Sequence, residues 1–179
     1  MKAAPVIQHS LLVLALWSGV ALTAQAQLSS PIAGGAPGGL PAGTGAGVHS
    51  PNSPIAPLQE RGDVLPWSLL TSVKTKTVKN RILPVFPATV QSLNAKSQRV
   101  QGFMMPLEPG EKQKHFLLSS VPLSCSFCVP GGPESIIEVK TKTPVKYSLE
   151  AVVVEGTFAV LQDDSYGLYY RITDAVAVK

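Results

Sequence analysis

The C-terminal two thirds of the sequence predicts a mostly β domain. Apolar and polar residues alternate with period two in several segments rich in Val, Ile and Thr, which is typical of half-buried strands. Pro, Gly and Asp residues separate these segments as turn signals, and no long apolar stripe has helical spacing. Five such strands favour a small antiparallel barrel of OB-like type, because closure removes exposed sheet edges. A two-sheet sandwich is the main alternative.

The elements of this barrel can be placed in order along the chain. Residues 64–70, around Trp67, are expected to form a short helical turn that covers one end of the barrel. Gly102 lies inside the first predicted strand, where a barrel strand must bend to pair on both sides. The predicted strands are residues 98–107, 114–121, 134–141, 149–161 and 167–178.

The N-terminal segment predicts export. Residues 1–26 combine the positive charge of Lys2, an apolar run over 11–22 and small residues at Ala24 and Ala26, which is the pattern of a signal peptide. The apolar run is too short for a comfortable membrane span. We therefore expect a periplasmic or secreted product with no stable membrane anchor after cleavage.

Residues 27–62 have the composition of a disordered linker. They hold eight of the fifteen glycines and six of the sixteen prolines of the chain. A segment of this composition buries too little apolar surface to offset the entropy of ordering. Residues 63–179 then form a single β domain of ordinary size. The formal net charge of +4 is modest, and together with export it argues against a nucleic-acid partner.

Two cysteines, Cys125 and Cys128, are the most distinctive chemical feature. They are followed by the sequence Val-Pro-Gly-Gly-Pro, which disfavours the helix that follows the cysteines of a thioredoxin-like redox site. Two thiols at this spacing can hold a soft metal ion or form a disulfide. A thiol-redox protein is therefore the weakest of the three interpretations.

A metal site at Cys125 and Cys128 needs further ligands. A hairpin turn over residues 108–111 would place His115 opposite Met104 or Met105, giving an imidazole and a thioether that suit zinc or copper(I). A straight strand would, however, separate His115 from the cysteines by about 20 Å. The alternative is a cysteine-centred site completed by loop groups, such as Glu134, or by a partner.

Lysine and threonine alternate in two short segments. Residues 73–81 are strongly basic, and their first five residues recur at 139–143. Both segments predict solvated edge strands that resist aggregation, with an anionic partner surface as the alternative.

Several enzyme classes are excluded by motif. Residues 63–179 contain one histidine, so neither an HExxH zinc site nor a multi-histidine site can form there, and no GxSxG or P-loop motif occurs. Asp163 and Asp164 are expected to point apart into solvent from a turn, which does not suit paired acid and base catalysis.

Three motifs in order resemble an exported bacterial family known as domain of unknown function 3299. They are Gly-Phe-Met-Met-Pro-Leu-Glu at 102–108, His-Phe-Leu-Leu at 115–118, and Cys-Ser-Phe-Cys-Val-Pro-Gly-Gly-Pro-Glu-Ser at 125–135. The resemblance implies a small exported domain. It also suggests a membrane transport system or another exported protein as partner, since some members with Cys-x-His in place of this cysteine pair accompany zinc-controlled importers.

These observations favour a non-enzymatic exported accessory domain. In the first hypothesis it binds zinc or copper(I) through Cys125 and Cys128, with His115 and Met105 as further ligands, and assists metal transport. The alternatives are a structural or protein-interaction module with a static disulfide between the two cysteines, and a thiol-redox protein.

Overall fold

Five strands close into a barrel in the computed structural model, which describes residues 45–179. Two short helices, a two-stranded hairpin and one 3-10 turn accompany them. The elements are α1 (Trp67–Leu70), β1 (Lys74–Val78), β2 (Arg81–Val85), α2 (Ala88–Gln91), β3 (Ser97–Pro106), β4 (Lys112–Ser119), a 3-10 turn (Pro133–Ser135), β5 (Ile136–Lys146), β6 (Val152–Val160) and β7 (Tyr170–Val178).

The strand order around the barrel is β3-β4-β5-β7-β6, and β6 pairs back onto β3. This order, with the fourth barrel strand beside the first, is that of an OB-fold, so the predicted mostly β class and the closed five-stranded barrel are confirmed. The barrel is mixed, however, because β5 and β7 are parallel. The chain reverses direction twice between these two strands, once into β6 and once out of it, so an antiparallel barrel throughout was the wrong expectation.

Gly102 marks the point where β3 changes partners. Residues before and including it pair with β6, and residues from Phe103 onward pair with β4. A Cβ at position 102 would approach the Ser119 carbonyl oxygen at 2.9 Å and the Trp67 ring at 3.4 Å. The glycine therefore permits both the bend of the strand and its close contact with its neighbours.

The core fills the inside of the barrel and extends under α1, the short helix that begins at Trp67. Trp67 donates its indole N–H to the Gln101 carbonyl oxygen at 2.9 Å, and Tyr170 donates its hydroxyl to the Leu70 carbonyl oxygen at 2.6 Å. These bonds satisfy polar groups where the turn meets the barrel. The largest fully buried apolar side chains are Tyr170, Phe116, Phe158, Leu70, Leu118, Ile137 and Ile172.

The sequence did not predict that β1 and β2 pair as a hairpin. Its connection consists of Lys79 and Asn80, both with positive φ, which is the conformation of a tight type I′ turn. This turn contains no glycine or proline, so the usual signal was missing. All residues of β1 are exposed, and within residues 45–179 β1 pairs only with β2.

Part of the predicted linker is hydrogen-bonded to the domain. Residues 45–48 lie against the disulfide loop, and Val48 forms a two-way backbone bridge with Val129. Backbone hydrogen bonds to the domain compensate here for the lack of apolar side chains. The predicted signal peptide, and residues 27–44 of the predicted linker, lie outside the described residues. Within residues 45–179, no helix has the length and apolarity needed to cross a membrane.

Candidate functional site

The two cysteines form a disulfide in the loop between β4 and β5. The Cys125 N–H donates to the Pro122 carbonyl oxygen and the Cys128 N–H donates to the Cys125 carbonyl oxygen, each at 3.2 Å. These two consecutive turns bring the Cα atoms of the cysteines to 5.4 Å, a usual separation for a disulfide. The structure thus matches the static-disulfide alternative, and oxidised sulfurs are not thiolate ligands.

Residues on both sides of the disulfide pack against the segment 45–48. Gly45 donates its backbone N–H to the Glu134 carboxylate, and Ser120 donates its hydroxyl to the Ala46 carbonyl oxygen, both at 2.5 Å. A Cβ on Gly131 would collide with the Gly45 carbonyl oxygen. Gly131, the first glycine of the Pro-Gly-Gly-Pro sequence, is therefore needed for the close approach of this backbone to residue 45.

The other predicted metal ligands, Met105 and His115, lie on the barrel strands β3 and β4. Met105 pairs with Leu117, and His115 is bonded through its carbonyl oxygen to the Leu107 N–H. The expected pairing of His115 with Met104 or Met105 was wrong because the β3–β4 turn is centred on residue 111, beyond the predicted turn centre. Among the residues that the structure describes, no three His, Cys, Asp or Glu side chains form a group that could hold a metal ion.

His115 instead joins a charge cluster on the outer wall of the barrel. Its Nε2 lies 2.8 Å from Oε1 of Glu138, and Arg171 donates through Nε to the other carboxylate oxygen. Lys140 Nζ lies 3.5 Å from the same carboxylate. The side chain of Glu138 is 8% exposed, so an outward-facing glutamate is almost fully covered by its cationic neighbours.

The electrostatics of this cluster favour an ionised Glu138. Burial by itself raises the pKa of a carboxyl group, but the hydrogen bonds from Arg171 and His115, with the charges of Arg171 and Lys140, outweigh it and hold the pKa of Glu138 below its usual value. Burial likewise lowers the pKa of Arg171, and its bonds to Glu138 and Asp164 raise it overall. The sequence did not reveal this cluster, because its members come from three strands and a loop.

Asp163 and Asp164 point apart, as expected, but only one of them points to solvent. Asp163 pairs with Arg81 on the hairpin, and both side chains are about half exposed. Asp164 is 10% exposed, accepts backbone N–H bonds from Tyr166 and Leu168, and contacts Arg171 Nη2 at 3.2 Å. Its carboxylate thus organises the β6–β7 loop and orients Arg171.

An apolar groove of about 240 Å³ lies beside the disulfide loop. The predicted ligand Met105 lines it. Three large side chains at its walls are well exposed: Leu123 at 37%, Tyr147 at 38% and Leu149 at 55%. The rest of its lining consists of Phe103, Met104, Pro106, Ser119, Pro122 and Ser124.

A family model described as "Protein of unknown function (DUF3299)" matches residues 68–171, a range that contains the barrel strands up to the start of β7, the disulfide loop and the groove. The chain belongs to the DUF3299 family. No curated protein matches it significantly. A crystal structure of a DUF3299 family protein from Pseudomonas aeruginosa PAO1 is 23% identical over 54% of this chain and 68% of that chain, with a TM-score of 0.39. The resemblance seen in the three sequence motifs is confirmed at the level of the family.

Proposed function

We propose that this DUF3299 protein is a non-enzymatic, exported binding domain that holds an apolar side chain of another exported protein in the groove beside its disulfide loop. The observation that carries the proposal is the concentration of exposed Leu123, Tyr147 and Leu149 around one concave apolar site. Large apolar side chains grouped at a depression are typical of protein-interaction sites.

The size and lining of the groove favour a protein side chain over a small-molecule ligand. Its volume of about 240 Å³ is below the roughly 300–1,000 Å³ that is usual for small-molecule sites. Its polar lining residues are Ser119, whose hydroxyl donates to the Val121 carbonyl oxygen, Ser124 and Tyr147. None of them is a carboxylate or an imidazole, so the lining suits recognition better than acid and base catalysis.

The disulfide has a direct role in this proposal. Pro122, Leu123 and Ser124 form one wall of the groove and immediately precede Cys125. The ring to Cys128 fixes Cys125, whose N–H donates to the Pro122 carbonyl oxygen, so the wall is held at one end before a partner arrives and less conformational entropy is lost on binding. Cys125 is itself buried, which anchors the wall to the barrel.

Site-specific photo-crosslinking in the producing cells tests the proposal. A photoreactive p-benzoylphenylalanine at position 149 should give a discrete adduct with another exported protein. The same residue at position 82 is the matched control, because Ile82 is also apolar and exposed but lies on the hairpin. The adduct at position 149 should disappear when Tyr147→Glu places a charge in the groove.

The double variant Cys125→Ser/Cys128→Ser separates the disulfide from the fold. We expect it to keep the barrel circular-dichroism spectrum and to lose most of the adduct, while the wild type shows no free thiols after denaturation. Adducts of equal yield at positions 82 and 149, or none at 149, would contradict the proposed groove. An adduct with a second copy of the chain would mean that the groove mediates self-association and does not bind another exported protein.

A further inference from the structure

We propose that the outer face at the far ends of β4 and β5 docks on an anionic lipid surface. Five lysines cover this face, and we refer to them as the basic stripe: Lys112, Lys114, Lys140, Lys142 and Lys146. All five are exposed. Neither the apolar groove nor the disulfide loop includes any of them.

Strand register brings like charges together in the stripe. Lys112 lies directly opposite Lys146, and the next pair, Gln113 and Val145, turns its side chains inward. Like charges directly opposite each other on antiparallel strands destabilise the pairing. A single lysine would suffice to keep a strand end from aggregating, so protection of the strand end does not explain two lysines facing each other.

Little of this charge is neutralised within the protein. In the part of the chain that the structure describes, Lys112, Lys114 and Lys146 have no acidic side chain within 4 Å. Lys140 contacts Glu138, but that carboxylate already binds Arg171. Lys142 reaches the exposed Asp174 at 3.9 Å. Glu108 and Glu111 lie in the adjoining β3–β4 turn, and the five lysines outnumber them.

Protection of an exposed sheet edge does not explain Lys140 either. This residue pairs with His115 on β4, and its neighbours Val139 and Thr141 pair with β7. The predicted solvated edge is therefore absent at this position, because barrel closure covers both sides of the strand. The alternative that the sequence left open, an anionic partner surface, accounts for the lysine here.

Two exposed apolar side chains next to the stripe favour lipid over a soluble polyanion. Leu107 is 45% exposed in the β3–β4 turn, and Tyr147 directly follows Lys146. Tyrosine and leucine can enter the interfacial region of a bilayer while lysines contact the headgroups. Clusters of about four to eight basic residues are typical of sites that bind acidic lipids.

Vesicle flotation of the purified protein tests this site. Wild type should float with vesicles of phosphatidylglycerol and phosphatidylcholine, but not with pure phosphatidylcholine, and binding should weaken as salt rises from 50 to 300 mM. Lys112→Gln/Lys146→Gln should lower the affinity about thirtyfold. The control Lys74→Gln/Lys76→Gln removes the same charge from the hairpin and should lower it less than about twofold.

A second variant distinguishes lipid from other anions. Leu107→Ser lies outside the groove and should weaken vesicle binding while leaving binding to immobilised heparin unchanged. Thermal melting shows whether each variant is folded. Three outcomes would overturn the inference: no vesicle binding by wild type, equal losses in the two lysine variants, or binding to heparin with none to vesicles. Each is independent of photo-crosslinking at the groove.

Discussion

The sequence Val-Lys-Thr-Lys-Thr occurs at residues 73–77 and again at 139–143, and its two copies lie in different surroundings. The first forms most of an exposed hairpin strand with one neighbour, and Val73 only packs against the margin of the core. The second lies in β5 of the barrel, where Val139 is fully buried between β4 and β7. Local preference makes both copies strands, whereas barrel topology decides what each side chain contacts.

The largest expected difference between the two surroundings concerns their acidic partners. Glu138, beside the second copy, is covered and contacts Arg171, Lys140 and His115, whereas Asp163 pairs with Arg81 of the hairpin at the surface. Glu138→Ala should cost about 3 kcal/mol of unfolding free energy, because Arg171 loses its main partner. Asp163→Ala should cost less than about 1 kcal/mol. Chemical denaturation of both variants measures the contrast.

The pH dependence of the unfolding free energy tests the contribution of Glu138. The folded-state pKa of Glu138 is lowered, so its ionisation stabilises the fold above the unfolded pKa of about 4.5, and this stabilisation is lost as the pH falls through the folded pKa. Glu138→Ala should therefore show a weaker loss of stability below pH 4.5 than wild type. An unchanged acid profile in this variant would show that Glu138 is not a source of acid sensitivity.

Truncation of the two matching valines should give a smaller contrast. Val139→Ala removes two methyl groups from a closed core and should cost about 2 kcal/mol. Val73→Ala, at the margin of the core, should cost about 1 kcal/mol or less, since its surroundings can relax and water can fill the space. Equal costs, measured by denaturant titration, would mean that the hairpin is as firmly packed as the barrel.

The smallest effect is expected at the hairpin turn. Asn80 has φ 64°, and glycine suits the second central position of a type I′ turn, so Asn80→Gly should stabilise the hairpin by about 0.5 kcal/mol. Thr77→Gly is the control, because it adds glycine within the strand and should destabilise the hairpin by a similar amount. Hydrogen exchange of the hairpin amides reports both changes, and faster exchange in Asn80→Gly would contradict the turn assignment.

The same contrast explains how far the sequence could predict the molecule. Alternating residues identified all five barrel strands, four of them to within three residues at each end, whereas β5 continues five residues beyond its predicted end. Gly102 identified the bend, and all of these signals are local. The expected partner of His115 was wrong because moving the turn centre by one residue shifts every cross-strand partner by two residues. The buried state of Glu138 required Arg171, 33 residues away, and no local pattern indicates that a charged residue in a strand will be covered by a distant guanidinium.

The disulfide was one of the alternatives left open by the cysteine spacing, and the loop sequence argued correctly against a following helix. Only a 3-10 turn of three residues, Pro133–Ser135, follows the cysteines in the described chain before β5. The groove could not be anticipated, because its walls come from β3, the disulfide loop and the β5–β6 connection. Met105 was singled out for its thioether, but it contributes apolar surface.

The backbone bridge between Val48 and Val129 has a practical consequence for work with this protein. The family match begins at residue 68, yet the hydrogen-bonded structure already includes residues 45–48. A fragment cut at the start of the recognised region would leave both polar backbone groups of Val129 to solvent and remove the acceptor of Ser120. Expression should therefore start before residue 45, so that the disulfide loop keeps the chain segment against which it folds.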